Sequence, residues 1–458
     1  MWTKLQGLLA AAVVGSVLST AAADPEPAKM TVRTAPDWLR NAVIYEIYPR
    51  NFSAAGDFNG ITARLDDLQN LGVDVLWLMP IHPVGQKLRK GTLGSPYSIR
   101  DFYGINPDYG TTNDFRRLIQ EAHARKMKVI LDIVAGHTAW DSVLMAHPEY
   151  YQTNASGQIV PPNSEWPDVA GLNYENPELR NYMINMLAWW LQQYNLDGFR
   201  CDVAYTVPVE FWRTAREQLE KVNPNVIILA EAGARPALLT KAFDMDSSWS
   251  LYSWLGQVMA GEAPAVKLRE SWDHTRDQFP DGAMHLRYSD IHHQPRAVVR
   301  YGVNGALATQ VFMLTLDGVP LFYNGMEVGD STESADPALF EKMPIFWTPG
   351  QRPPLRDIYR DLIQLRKQHP AFTGNDLTWI DNQAPSEVVS YTRKDKKDEY
   401  LVVINFSSRH VDTTIGLPDP EGFEPVKITG MPPLLNNTLP DVHLPGYGWQ
   451  IYHRTLAK

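Results

Sequence analysis

Residues 196–204 read Leu-Asp-Gly-Phe-Arg-Cys-Asp-Val-Ala (LDGFRCDVA). The stretch predicts a buried strand over Leu196–Val203, and alternation along it puts Arg200 and Asp202 on one face. Charges on the face of an apolar strand cost free energy unless they are paired or used. Outward from this strand the same kind of run recurs at Val43–Tyr48, Val73–Ile81, Lys128–Val134, Val226–Glu231, Met284–Ser289 and Val319–Tyr323. Amphipathic stretches fall between the runs. Ile61–Leu71 spaces Leu65, Leu68 and Leu71 as a helix does, and Thr112–Arg125 and Asn181–Tyr194 are also helical. Strands alternating with helices imply parallel strands joined by crossovers. A closed barrel and an open doubly wound sheet both fit. The chain has no Gly-x-Gly-x-x-Gly and no phosphate loop, which argues against a nucleotide-binding sheet.

At 458 residues the chain is long for a barrel alone. An irregular stretch with Pro, Asn and Trp at 137–173 predicts a small domain inserted after the third strand, over the barrel mouth. From about Ala371 short strands such as Val388–Arg393 and Tyr400–Phe406 predict a C-terminal antiparallel β-domain over 371–458, leaving 24–370 for the barrel and its insertion. Lys4, the apolar run Leu8–Leu18 and Ala21–Ala23 read as a signal peptide over residues 1–23, which predicts a secreted or periplasmic protein starting at Asp24. No later run is long enough to span a membrane. A net charge of −10 argues against nucleic acid as a partner, and the single cysteine, Cys201, excludes an internal disulfide. The 14 Trp and 20 Tyr suit core packing, and also the stacking of sugar rings.

In a parallel barrel, reactive groups sit just past the strands. The residues there are Asp132 and His137, Arg200 and Asp202, Glu231, then Asp290, His292 and His293, then Asn324 and Glu327. They read either as structural ion pairs or as the carboxylate pair of a retaining glycosidase, which needs a nucleophile and an acid/base about 5 Å apart. On the second reading Arg200 keeps Asp202 ionised, and burial raises the pKa of Glu231. His292 and His293 could suggest zinc, but adjacent residues point apart and no further ligand spacing supports a metal.

At these residues the chain resembles glycoside hydrolase family 13, the α-amylase family. The similar segments come in order along nearly all of the chain after residue 23: IYEIYPRNF (44–52), GVDVLWLMPI (72–81), SPYSIRDFYGINPDYGT (95–111), MKVILDIVAGHTAWD (127–141), LDGFRCDVA, ILAEA (228–232) and GVPLFYNGMEVG (318–329). The resemblance implies a (β/α)8 TIM barrel, a small domain after strand three and a C-terminal β-domain. It implies Asp202 as nucleophile, Glu231 as general acid/base and Arg200 as the arginine that orients the nucleophile. It further implies Tyr97 stacking on the sugar, His137, His292 and the residue at His293 around its hydroxyls, and Asp132 as the structural aspartate of strand three.

Two positions depart from the family pattern. Its strand-seven motif ends Asn-His-Asp, and here Ile291-His292-His293 stands in its place, so a histidine replaces the third catalytic aspartate. Gly136 stands where the family often has a calcium-ligating Asn, so no calcium and no other cofactor is expected. The resemblance implies a retaining hydrolase of α-glucosidic bonds in starch-like glucans or maltooligosaccharides, with weakened or altered chemistry. A silent α-glucan-binding protein on the same fold and a transglycosylase for another α-glucoside are the alternatives.

Overall fold

The computed structural model describes residues 30–233, 235–347, 355–429 and 438–456. Residues 1–23, the expected signal peptide, lie outside them. Eight strands close a parallel barrel: β1 (Ile44–Ile47), β2 (Val75–Leu78), β3 (Lys128–Val134), β6 (Gly198–Asp202), β7 (Ile227–Ala230), β8 (Met245–Ser247), β9 (His285–Arg287) and β10 (Val319–Tyr323). Between β3 and β6 lie β4 (His137–Ala139) and β5 (Val169–Gly171), an antiparallel pair in the inserted stretch.

Two-residue alternation divides the apolar side chains between two cores. Ile44, Val75, Trp77, Ile130, Ile227, Leu229, Leu286 and Leu321 fill the barrel interior. Tyr45, Leu76, Leu131, Phe199, Cys201, Ile228 and Phe322 face outward, into the layer of surrounding helices. The predicted helices are present with shifted ends. Ile61–Leu71 is two short helices, Phe58–Thr62 and Leu65–Leu71, with Leu65, Leu68 and Leu71 buried as predicted. The helix Thr112–Ala124 starts with a capping box between Thr111 and Asp114.

Three aspartates recur in one structural role on the N-terminal face. Asp74, Asp197 and Asp244 each immediately precede a barrel strand and accept the backbone N–H of a residue on the preceding neighbour: Val43 at 2.8 Å, Val129 at 2.8 Å and Ile228 at 2.7 Å. Each also meets a cation, namely Lys367, Lys128 and Arg216. These pairs satisfy amides that lie before the ladder begins, on the face opposite the predicted chemistry.

After the helix Leu355–Gln368 the chain forms a sheet ordered β11 (Leu377–Trp379), β12 (Val388–Lys394), β13 (Asp398–Asn405), β17 (Trp449–Thr455), β15 (Glu424–Pro425). A separate ribbon pairs β14 (Val411–Thr414) with β16 (Asp441–Leu444). No described helix is long and apolar enough to cross a membrane.

Candidate active site

The strand register brings the predicted residues together. Asp132 on β3 lies beside Arg200 on β6, and Val134 beside Asp202. Glu231, one residue past β7, donates its backbone N–H to the Cys201 carbonyl at 3.0 Å. Arg200 is fully enclosed and serves three carboxylates. Its Nη1 lies 2.9 Å from both oxygens of Asp132 and 2.9 Å from Asp202 Oδ1, and its Nη2 lies 2.6 Å from Glu231 Oε2. The guanidinium also sits over the rings of Trp77 and Tyr97. Asp132 is wholly buried, whereas the side chains of Asp202 and Glu231 keep 11% and 12% exposure. A ligand can therefore touch Asp202 and Glu231, while Asp132 is screened behind Arg200 and Tyr97.

One guanidinium cannot offset three ionised carboxylates, so the cluster retains a proton. Burial pushes Asp202 well above the usual carboxylate range against the pull of Arg200, and the charges of Glu231 and Asp132 add to the rise. Burial also opposes the charge on Glu231, but Arg200 and the Val203 N–H, 2.9 Å from Oε2, hold it below its ordinary value. This reverses the sequence expectation, in which Asp202 is ionised and Glu231 raised. The reason is geometric. Glu231 has Nη2 to itself plus a backbone donor, while Asp202 shares Nη1 with Asp132. Both carboxyls pair with the same guanidinium, which holds them side by side.

The turn that supplies the Val203 amide is strained. Val203 has φ 37° and ψ 46°, a left-handed conformation that is unfavourable for a β-branched residue. Glu231 holds it from both ends, since its side chain accepts from Val203 N and its carbonyl accepts from Ala204 N at 3.0 Å.

A second network lies across the mouth. Glu46 Oε1 meets His292 Nδ1 at 2.5 Å, His292 Nε2 meets the Tyr97 hydroxyl at 2.9 Å, and that hydroxyl donates to Asp132 Oδ2 at 3.1 Å. Burial raises Glu46 well above its usual range and lowers His292 to about 3. His293 Nδ1 lies 3.2 Å from His292 Nε2. Burial lowers His293 to about 3, so the imidazole is neutral at pH 7 and adds no positive charge to the site.

His137 opens β4 and is buried, with Nδ1 lacking a partner, and burial lowers it to about 4. Its ring lies 5.8 Å from Trp166, and Trp249 lies 5.2 Å from His293. Tyr205, 42% exposed just after β6, completes an aromatic rim. Lys90 bridges to Asp168 at 3.0 Å and ties the loop after β2 to the inserted stretch.

The other strand-end groups are structural. Asp290 accepts from Ala297 N at 2.7 Å and from Ser289 Oγ at 3.0 Å, so it does not stand in at position 293. Asn324 accepts from Tyr48 N, and Glu327 from the Tyr45 hydroxyl. A Cβ at Gly136 would lie 2.8 Å from Thr206 Oγ1, so a side chain here would have to displace that hydroxyl, which donates to the Val203 carbonyl. Glu46, Trp77, Trp166, Tyr205 and Trp249 are site residues that sequence reasoning missed. Of these, Glu46 carried a signal, being the one charged residue in the run Val43–Tyr48.

A closed parallel barrel with an arginine shared among carboxylates at its strand ends, ringed by histidines and aromatic side chains, is a barrel of the glycoside-hydrolase type. The chain belongs to the alpha-amylase family: the profile of the alpha amylase catalytic domain matches residues 46–157 and 163–343. It is 32% identical over 407 residues to the alpha-amylase MalA of Haloarcula japonica, covering 84% of this chain and 58% of that longer protein. A noncanonic maltogenic alpha-amylase, AmyB from Thermotoga neapolitana, superposes with a TM-score of 0.80 at 30% identity, over 92% of this chain and 100% of that one. An alpha-amylase from Lactobacillus plantarum does so with a TM-score of 0.80 at 29% identity, with the same coverage.

Proposed function

We propose that the protein is a secreted or periplasmic retaining glycoside hydrolase that cleaves α-glucosidic bonds in starch-like glucans or maltooligosaccharides. The observation that carries the reading is Arg200, which holds Asp202 and Glu231 side by side as the cluster's two ligand-accessible carboxyls. In the first step the shared proton passes to Glu231, which gives it to the glycosidic oxygen as the bond to the anomeric carbon breaks. Asp202, now ionised beside Arg200, forms an ester with that carbon. In the second step Glu231 takes a proton from water, the hydroxyl attacks the same carbon, and Asp202 is released as carboxylate. His137, His292 and Tyr97 supply neutral hydrogen-bonding groups and a ring face for the sugar, and the rim aromatics extend its track. No step requires a metal.

The reading is tested by reducing-sugar release from maltoheptaose and starch. Asp202→Asn and Glu231→Gln are each expected to lower kcat about a thousandfold. Equal rates in wild type and both variants would remove the assignment.

His293 favours a second reading, a site that binds α-glucans and turns them over slowly or not at all. Its neutral imidazole offers one hydrogen-bonding nitrogen where the family pattern has a two-oxygen acceptor. Calorimetric binding of maltoheptaose with no Glu231-dependent turnover would select this reading.

A further inference from the structure

A cluster on the C-terminal domain plays no part in the barrel's chemistry. In the β14–β16 ribbon Asp412 lies directly opposite His443. His410 lies just before β14, two residues from Asp412. His410 Nε2 lies 2.7 Å and His443 Nδ1 2.6 Å from the same oxygen, Asp412 Oδ1. The three potential ligand atoms lie within 4.8 Å of one another, and all three residues are exposed. We propose that His410, Asp412 and His443 form a surface site for a divalent transition metal of the zinc type, with water as the fourth ligand.

The donor set argues for this class of ion. Two imidazoles and one carboxylate suit zinc and its neighbours, whereas calcium and magnesium call for oxygen alone. Bonds of about 2.0 Å in a tetrahedron place ligand atoms roughly 3.3 Å apart, so shifts of about 1 Å in exposed side chains reach that geometry. The backbone that carries them is already fixed. Val442 and Leu444, on the opposite face of β16, are fully buried in a small core with Val388, Leu401 and Tyr452. Arg409, next to His410 in sequence, pairs with Glu387 at 2.7 Å. The same contacts suit a plain ion-pair cluster, and only metal binding separates the two.

Zinc chloride, titrated calorimetrically into the full-length protein freed of metal with EDTA, is the probe. One ion per chain is expected, with affinity falling at least tenfold in Asp412→Asn and binding at this site lost in the His410→Ala/His443→Ala double variant. Cobalt chloride should give the visible absorption of a tetrahedral site in wild type and not in the double variant. Melting curves in EDTA confirm that the variants fold. No zinc uptake by wild type, or equal uptake by wild type and double variant, would overturn the proposal.

Discussion

Replacing His293 with Asp asks directly what that position does. The imidazole is neutral, and its Nδ1 lies 3.2 Å from His292 Nε2, so it offers a sugar one neutral hydrogen-bonding nitrogen, Nε2. A carboxylate would offer two charged acceptors to hydroxyls that tighten in the transition state. A hydrogen bond to a charged group contributes about 1.5–3 kcal/mol against about 1 for a neutral one. Two of the former in place of one of the latter give a net gain of about 2–5 kcal/mol, or roughly 30- to 5,000-fold in rate. A cost accompanies the gain. Arg200 already faces three carboxylates, and a fourth nearby holds the shared proton more tightly. A second proton is also taken up more readily, and because Asp202 must be ionised to attack while Glu231 keeps the shared proton, both limbs of the pH–rate profile should move to higher pH. The assay is kcat/KM on maltoheptaose from pH 4 to 9, beside wild type, with thermal melts to confirm folding. A folded His293→Asp protein with unchanged or lower kcat/KM at every pH would refute the reasoning and mark His293 as part of a differently built, working site.

Two further predictions concern the scaffold. Asp317 accepts from Trp272 Nε1 at 2.7 Å and pairs with Arg287 Nη2 at 3.0 Å; despite burial, Arg287 and Arg393 bring its pKa down to about 2. A depressed carboxyl stabilises the fold above its unfolded value near 4, and the contribution is lost as pH falls through 2. Asp317→Asn should therefore cost about 2 kcal/mol in denaturant unfolding at pH 7, with the gap to wild type narrowing below pH 4; a gap independent of pH would contradict this. A Cβ on Gly198 would lie 1.8 Å from the backbone oxygen of Ile227, where β6 and β7 pair. Gly198→Ala should force those strands apart, lowering stability by about 3 kcal/mol or more and misplacing Arg200 and Asp202; a melting temperature within 2 °C of wild type would show that the ladder yields more easily than packing allows.

The barrel was legible because seven of its eight strands lie within strand-like stretches set between helical patterns, including the three-residue β9 in Met284–Ser289. The eighth, β8, was missed. Met245–Ser247 is three residues with Asp246 in the middle, and its place is fixed by pairing with β7 and β9 rather than by its own hydrophobicity. Arg200 and Asp202 could be put on one face from the two-residue period alone, and their proximity to Glu231 follows from the parallel register. The position of the proton could not. It depends on which nitrogen of Arg200 reaches which carboxylate, and on the left-handed turn at Val203 that aims an amide at Glu231. The neutral state of His293 was equally hidden, since it comes from burial and from a network that begins at Glu46, far away in sequence.

The central claim is that Asp202 attacks and Glu231 handles the proton. An α-maltosyl fluoride carries a leaving group that needs little acid assistance, so in Glu231→Gln the first step should proceed while the second, lacking its base, stalls. Intact-mass measurement of that variant after exposure to the fluoride should show one added maltosyl unit, and peptide mapping should place it on Asp202. An unmodified protein, or a sugar carried on any other residue, would contradict the account.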